Sequence, residues 1–194
     1  MKKILENANL QGLKQLIVVE VQNVNNANIK MLEKVDNMWK TIMETQGYIG
    51  KNGLGKLQEG DMKTPIGEFE LGIAFGTHSN VKTKLEYYTL DENMYWVCDS
   101  NSKYYNEFVD ETKIKSDWDN SKNEHLIEED IAYEYAIEIK YNKEKISEKG
   151  SAIFLHCIKN GPTAGCVSIS KDSMKFVIEN INRDTKIYIV ENLI

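Results

Sequence analysis

The 194-residue chain has no basic excess: 24 lysines and arginines face 30 aspartates and glutamates, for a formal net charge of −6 and a pI near 5.2. Binding to nucleic acid draws on basic residues that displace counterions from phosphates, so no nucleic-acid partner is expected. The chain also lacks any run of about 18 apolar residues, the length a bilayer-spanning helix requires, and no transmembrane segment is expected. Its three cysteines, Cys98, Cys157 and Cys166, are odd in number and give no disulfide framework. No CxxC or HxxxH spacing occurs, which argues against a zinc site. Repeats, low-complexity tracts and a clear interdomain linker are missing as well. The length suits one domain over residues 1–194, with 1–13 as a possible N-terminal extension, and is enough to bury a core. Met1-Lys2-Lys3 has the charge of an export leader, but Glu6, Asn7 and Asn9 interrupt the stretch where its apolar region would lie.

What is present reads mostly as strands. Leu16-Ile17-Val18-Val19 is rich in β-branched residues and marks a first strand within Leu13–Val24. From Ile29 to Tyr48 two patterns compete. Ile29, Leu32, Val35, Met38, Trp39 and Ile42 fit helical spacing, whereas Asp36-Asn37 suits the turn of a hairpin. Gly47–Gly60 is a glycine-punctuated loop that leads through Thr64-Pro65 into a strand over Gly67–Ile73. Pro65 fixes φ and removes a donor, so this pair shapes a turn or touches substrate. Met94–Val97 makes another strand. Ile131–Tyr141 reads as a strand with Tyr133, Tyr135, Ile137 and Ile139 on one face. After Cys166, Ser170 caps a short helix carrying Met174, Phe176, Val177, Ile178 and Ile181, and Lys186–Val190 is the closing strand. His78 reads as a surface residue, and for His125, in a charged segment, the role of a second base is the minor reading, since nothing links it to Cys166.

One stretch concentrates the chemistry: Ser151 to Ser170, SAIFLHCIKNGPTAGCVSIS. An apolar run, Ala152–Leu155, delivers His156; Asn160-Gly161-Pro162 reverses the chain; Gly165-Cys166 opens a second apolar run. With the two strands side by side, the imidazole approaches the thiol, the arrangement a sulfur nucleophile needs, since a thiol is mostly protonated at neutral pH. Gly165 has no Cβ to hold a ligand off, so the amides of Gly165 and Cys166 are candidate oxyanion donors. The bland alternative stands beside this one: Cys166 as a small core side chain and His156 as a satisfied, partly buried residue. Cys98 and Cys157 read as core thiols. Successive strand residues face opposite ways, so His156 and Cys157 do not chelate one ion together.

The segment from His156 to Ser170, with its TAGCVSIS core, resembles the active-site signature of the L,D-transpeptidase (YkuD-like) catalytic domain, and Gly60-Asp61-Met62-Lys63-Thr64-Pro65-Ile66-Gly67-Glu68-Phe69 resembles the G-x-x-x-T-P-x-G-x-F segment of the same family. Gly50-Lys51-Asn52-Gly53, the stretch from Val97-Cys98-Asp99 to Asp110, and Lys186–Val190 extend the likeness from about Leu16 onward. Thr163, Ala164 and Ser168 stand where many members carry Ser-His or Ser-Lys and an Arg two residues after the Cys, so a substrate contact relying on that Arg is not expected.

The resemblance implies a mainly β fold, an L,D-transpeptidase-like β-sandwich with a short helix after the catalytic strand, and it favours the hairpin over the helix at Ile29–Tyr48. It implies acyl transfer on peptidoglycan stem peptides with Cys166 as nucleophile and His156 as its base, no metal or organic cofactor, and an extracytoplasmic or cell-wall location. Tyr104–Phe108 would lead toward the substrate groove. Thr163, Asn142 and Tyr141 are the further substrate-binding candidates, and a backbone carbonyl could orient His156 without leaving a trace in sequence. Two alternatives remain at this point: an L,D-carboxypeptidase, in which water replaces the acceptor amine, and a non-catalytic wall-binding module. Sequence leaves the oligomeric state open.

Overall fold

The computed structural model describes residues 1–191. Leu16 to Val19 form the middle of strand β1 (Gln15–Val21), where β-branched side chains pack on both faces. The hairpin follows. Strands β2 (Asn26–Val35) and β3 (Met38–Tyr48) are joined by Asp36 and Asn37 alone, at φ of 51° and 63°, and Val35 pairs directly with Met38. Two central residues with positive φ make a turn whose twist matches the strands it joins. Local turn chemistry therefore overrides the helical spacing from Ile29 to Ile42.

The remaining elements are β4 (Gly67–Gly76), β5 (Tyr87–Thr89), β6 (Met94–Trp96), β7 (Phe108–Asp110), β8 (Glu124–His125), β9 (Ala136–Ile139), β10 (Phe154–Cys157), β11 (Val167–Ile169), helix α2 (Lys171–Asn180) and β12 (Lys186–Glu191), with helix α1 (Lys2–Leu10) at the N-terminal end. The mainly β fold with a helix after the cysteine-bearing strand is the one expected. Nine strands share a sheet in the order β12-β1-β2-β3-β11-β10-β9-β4-β5, and β12 also pairs with β4, so the sheet closes on itself. Closure between β12 and β4 removes the unpaired edges that an open sheet of this length would carry, and the short β5 hangs on β4 outside the ring.

Alternation along the strands sorts the side chains into layers. Ile17, Val19, Ile29, Met31, Leu155 and Ile169 meet inside the ring, and α2 adds Met174, Val177 and Ile178 to that cluster. Leu16, Val18 and Leu32 face the other way, under Ile4 and Ala8 of α1. A third cluster, which includes Phe75, Trp96, Tyr133, Phe154 and Cys166, sits where a small sheet, β7-β6-β8, lies over β4 and β10. Each fully buried aliphatic side chain contributes about 1.5–3 kcal/mol before chain entropy is counted. Ser170 caps α2 by accepting the Ser173 amide at 3.2 Å. Buried Gln15 binds Asn180 O, the Asn182 amide and Thr185 Oγ1, which fixes the far end of α2 to β1.

Three expectations fail locally. The Ile131–Tyr141 strand shrinks to Ala136–Ile139: Tyr133 turns into the third cluster while Tyr135, Ile137 and Ile139 face the ring interior. The cause is that residues 131–135 turn across β10, where the Cys157 amide bonds Ala132 O at 3.0 Å. Phe176 is exposed rather than part of the helix's apolar face. The strand bearing His156 begins at Phe154, because Ala152 adopts φ of 52°, a left-handed conformation that breaks strand geometry.

Candidate active site

The strand that carries His156 and the strand that Cys166 leads into are adjacent but parallel, so the Asn160-Gly161-Pro162 loop does not close a hairpin. It brings the chain back to the starting end of β10. Leu155 pairs with Val167 and His156 with Ser168. That register sets Cys166 level with Phe154, and because alternate residues share a face, Phe154, His156, Cys166 and Ser168 lie on one side of the sheet. Leu155, Cys157, Val167 and Ile169 point into the ring.

Two loops fix the cysteine's position. The Thr163 amide bonds Ile49 O, and the Lys51 amide returns to Thr163 O, which ties the loop to the end of β3. Thr64, wholly buried, accepts the Gly50 amide at 2.8 Å and donates its hydroxyl to Gly165 O at 2.7 Å. The GDMKTP and AGC segments, far apart in sequence, thereby meet at one hydroxyl. Gly165 sits at φ of 151°, and a Cβ there would lie 2.9 Å from Lys63 O, so glycine is required on two counts. Beneath it, Lys56 forms a buried ion pair with Asp61 at 3.1 Å, its side chain 2% exposed. Asp61 also accepts the Leu57, Gln58 and Lys63 amides. Burial works to raise its carboxyl, yet these donors hold it at about 2.

His156 is 7% exposed, and its Nδ1 lies 2.8 Å from Cys157 O. A carbonyl oxygen only accepts, so Nδ1 carries the proton and Nε2 keeps a free lone pair. Burial lowers the imidazole to about 4, which leaves it neutral and basic at physiological pH. Tyr133 packs edge-on against the ring, centroids 5.6 Å apart. Cys157 O thus holds the orienting place, and a backbone atom leaves no signature in sequence.

Cys166, also 7% exposed, donates its Sγ proton to Ala152 O at 3.3 Å and accepts the Phe154 amide at 3.3 Å. Burial pushes the thiol up to about 12, Glu124 adds to that rise, and the Phe154 amide and Lys56 oppose it. The resting pair is therefore a neutral thiol and a neutral imidazole, with the thiol turned toward Ala152. Asn106 holds that carbonyl in place. Its Oδ1 accepts the Ala152 amide at 3.1 Å and the Trp96 indole at 3.0 Å, while its Nδ2 donates to Tyr141 O and Asn142 O.

A groove of about 500 Å³ opens on this pair. Tyr133, Glu124 and His125 line one wall, and Thr163, Ala164 and Pro162 the other, with His156 and Cys166 between them. Glu124, on β8, accepts the Tyr133 hydroxyl. Burial, against the pull of that bond, raises its carboxyl to about 7. Glu124 and Tyr133 were missed in the sequence because one lies in a charged segment and the other in what reads as a strand.

Of the residues singled out from sequence, the fold brings His156, Cys166 and Thr163 together at the groove. Asn142 and Tyr141 lie elsewhere. Asn142 binds Ile146 O and Gly150 O with its amide group, stapling its own loop, and Tyr141 donates to Lys149 O at 3.0 Å. Both border a separate depression with Glu68 and Lys186. The Gly165 amide donates to Thr163 Oγ1 at 3.1 Å, so it is engaged. Tyr104–Phe108 buttresses the site through Tyr105 and Asn106 and does not line the groove. His125 does line it, but both its nitrogens are occupied, by Glu128 and Glu92 O, and Tyr95 stacks on it at 4.4 Å. Cys98 contacts the third cluster, and burial raises its thiol.

The family model for the L,D-transpeptidase catalytic domain, YkuD, matches residues 36–189. Among curated proteins no relative matches the chain. Among solved structures, it is similar to Bd1075 of Bdellovibrio bacteriovorus, at 18% identity and a TM-score of 0.50 over 92% of this chain and 48% of that one. It is likewise similar to a point mutant of the helical cell shape determining protein Pgp2 from Campylobacter jejuni, at 15% identity and a TM-score of 0.50 over 92% and 48%. The chain spans about half the length of these structures, and at such identities they speak for the fold alone.

Proposed function

Because the chain belongs to the L,D-transpeptidase catalytic domain family, we propose that it is a cysteine acyltransferase that cross-links or remodels peptidoglycan stem peptides outside the cytoplasm. One observation carries the reading: His156, its Nδ1 proton committed to Cys157 O, shares a groove and a sheet face with Cys166. In the first half-reaction the thiol turns from Ala152 O, Nε2 takes its proton, and Sγ forms a bond to the carbonyl carbon of the L,D-amide. The tetrahedral oxyanion draws on the Cys166 amide, the Gly165 amide being engaged by Thr163 Oγ1 and available only if that bond opens. Such donors lower a barrier by roughly 3 kcal/mol. The C–N bond then breaks, the imidazolium protonates the departing amine, and a thioester remains. In the second half-reaction the amine of another stem attacks the thioester, its proton passes through His156 to sulfur, and the C–S bond breaks. A thiol held near 12 is little ionised at rest, so deprotonation has to accompany attack.

The test is covalent labelling of the intact protein by a carbapenem, read by mass. Wild type and Cys98→Ala are expected to gain one adduct and Cys166→Ala none. Labelling that disappears with Cys98 and survives in Cys166→Ala refutes the assignment. Incubation with stem tetrapeptide then reports the acceptor: a cross-linked dimer is the product of transfer, and tripeptide alone assigns the chain to hydrolysis.

A further inference from the structure

Glu124 has no role in the chemistry just described, yet it faces the groove beside the nucleophile. Its carboxyl accepts the Tyr133 hydroxyl, and among the described residues no cation pairs with it. The other acids of that wall are answered: Glu129 by Lys159 at 2.8 Å and Glu128 by His125 at 3.0 Å. Lys56, whose charge also acts on the thiol, is held by Asp61. A half-buried carboxyl with one neutral donor is costly to ionise unless a cation joins it, and burial already drives this one upward. The absent counter-charge is therefore a property the ligand can supply. Tyr133 fixes the carboxyl's direction while packing against the His156 ring, so a cation bound there sits close to the reacting carbonyl. A primary ammonium fits better than a metal ion, because one carboxylate and one phenol make a poor donor set for a hard cation.

We propose that Glu124, oriented by Tyr133, is the specificity-determining residue that receives a primary ammonium carried by the peptide substrate next to the scissile amide. The inference rests on the acyl-transfer reading above but is separable from it, because ammonium binding does not need a competent thiol. Glu124 makes no bond to the reacting atoms; it selects which peptide lies over them.

The experiment has two arms. In the first, calorimetry compares a stem tetrapeptide whose third residue bears a free side-chain amine with the same peptide acetylated on that amine, using Cys166→Ala protein, which binds without turnover. The free amine is expected to bind at least tenfold tighter, and Glu124→Gln placed in Cys166→Ala is expected to erase the difference. Tyr133→Phe there is expected to reduce it severalfold. Equal binding of the two peptides to Cys166→Ala overturns the proposal, as does a preference that survives Glu124→Gln. In the second arm, intact mass follows acylation of wild-type Cys166 by both peptides. Failure of both to acylate counts against the acyl-transfer reading while the binding arm still decides the role of Glu124.

Discussion

The environment of Glu124 leads to a quantitative expectation about stability. Its carboxyl titrates near 4.5 when free in water and at about 7 in the fold. A raised folded value means that the native state holds the proton more tightly than the unfolded chain does. The associated stability is fully present below the unfolded value and is lost as pH rises through the folded one. Between the two lie about 2.5 units, so ionising Glu124 costs the fold about 3 kcal/mol by pH 8 and about 1 kcal/mol or less at pH 5. Glutamine keeps an oxygen to accept the Tyr133 hydroxyl and never ionises. Glu124→Gln is therefore expected to stabilise the protein by about 2–3 kcal/mol at pH 8, which for a chain of this length is about 5–10 °C in Tm. At pH 5 the gain is expected to shrink to about 1 kcal/mol or less. Calorimetric melts of variant and wild type at the two pH values measure it, and the difference between them removes the contribution of titrating groups that do not interact with Glu124. An equal shift at both pH values, or destabilisation at pH 8, would refute the claim that this carboxyl is ionised against its surroundings. A residue kept at a net stability cost in a groove fits a role in ligand binding better than one in packing.

Four further expectations concern the rest of the site. Since burial holds His156 near 4, kcat/KM for acylation of the Glu124→Gln variant, in which the neighbouring carboxyl no longer titrates, should rise with a midpoint near pH 4 and then stay level toward neutrality; a midpoint near 6.5 in that pH–rate profile would mean that the imidazole is solvated. The same depressed value makes the protein lose about 3 kcal/mol as pH falls from 6.5 to 4, because the unfolded chain binds the proton first, and His156→Phe should abolish that slope in melts across the window. Thr64→Val removes the hydroxyl shared by Gly50, Gly165 and Cys166 and strands buried backbone groups, so denaturant titration should show a loss of about 2–3 kcal/mol together with slower acylation. Gly47→Ala would put a Cβ 2.2 Å from Ser168 O, between β3 and β11; a loss well above 1 kcal/mol is expected, and a melt unchanged within about 0.5 kcal/mol would contradict the close approach of those strands.

Residue order alone determined the strand-rich character of this chain, since β-branched and alternating runs at Leu16–Val19, Gly67–Ile73 and Lys186–Val190 have one stable use. It also determined the helix start at Ser170, where a hydroxyl meets an orphan amide, and it singled out the His156 and Cys166 pair. In each of these places the deciding physics is local: propensity, capping, or residue type at short spacing. At Asp36-Asn37, neighbouring turn residues were needed to overrule a helical pattern that side-chain spacing supported equally well. The tertiary structure decided everything that depends on who lies opposite whom. Parallel register, not a hairpin, puts His156 and Cys166 on one face. Cys157 O orients the imidazole, Thr64 joins two motifs at a single oxygen, and Tyr133 leaves its predicted strand to meet Glu124. Asn142 and Tyr141, plausible from their position in the chain, border a different depression, where Asn142 staples its own loop. Burial, which sets the proton affinity of His156, Cys166 and Glu124, arises from the layer that β6, β7 and β8 lay over β10, and no short window of sequence contains both sides of that contact.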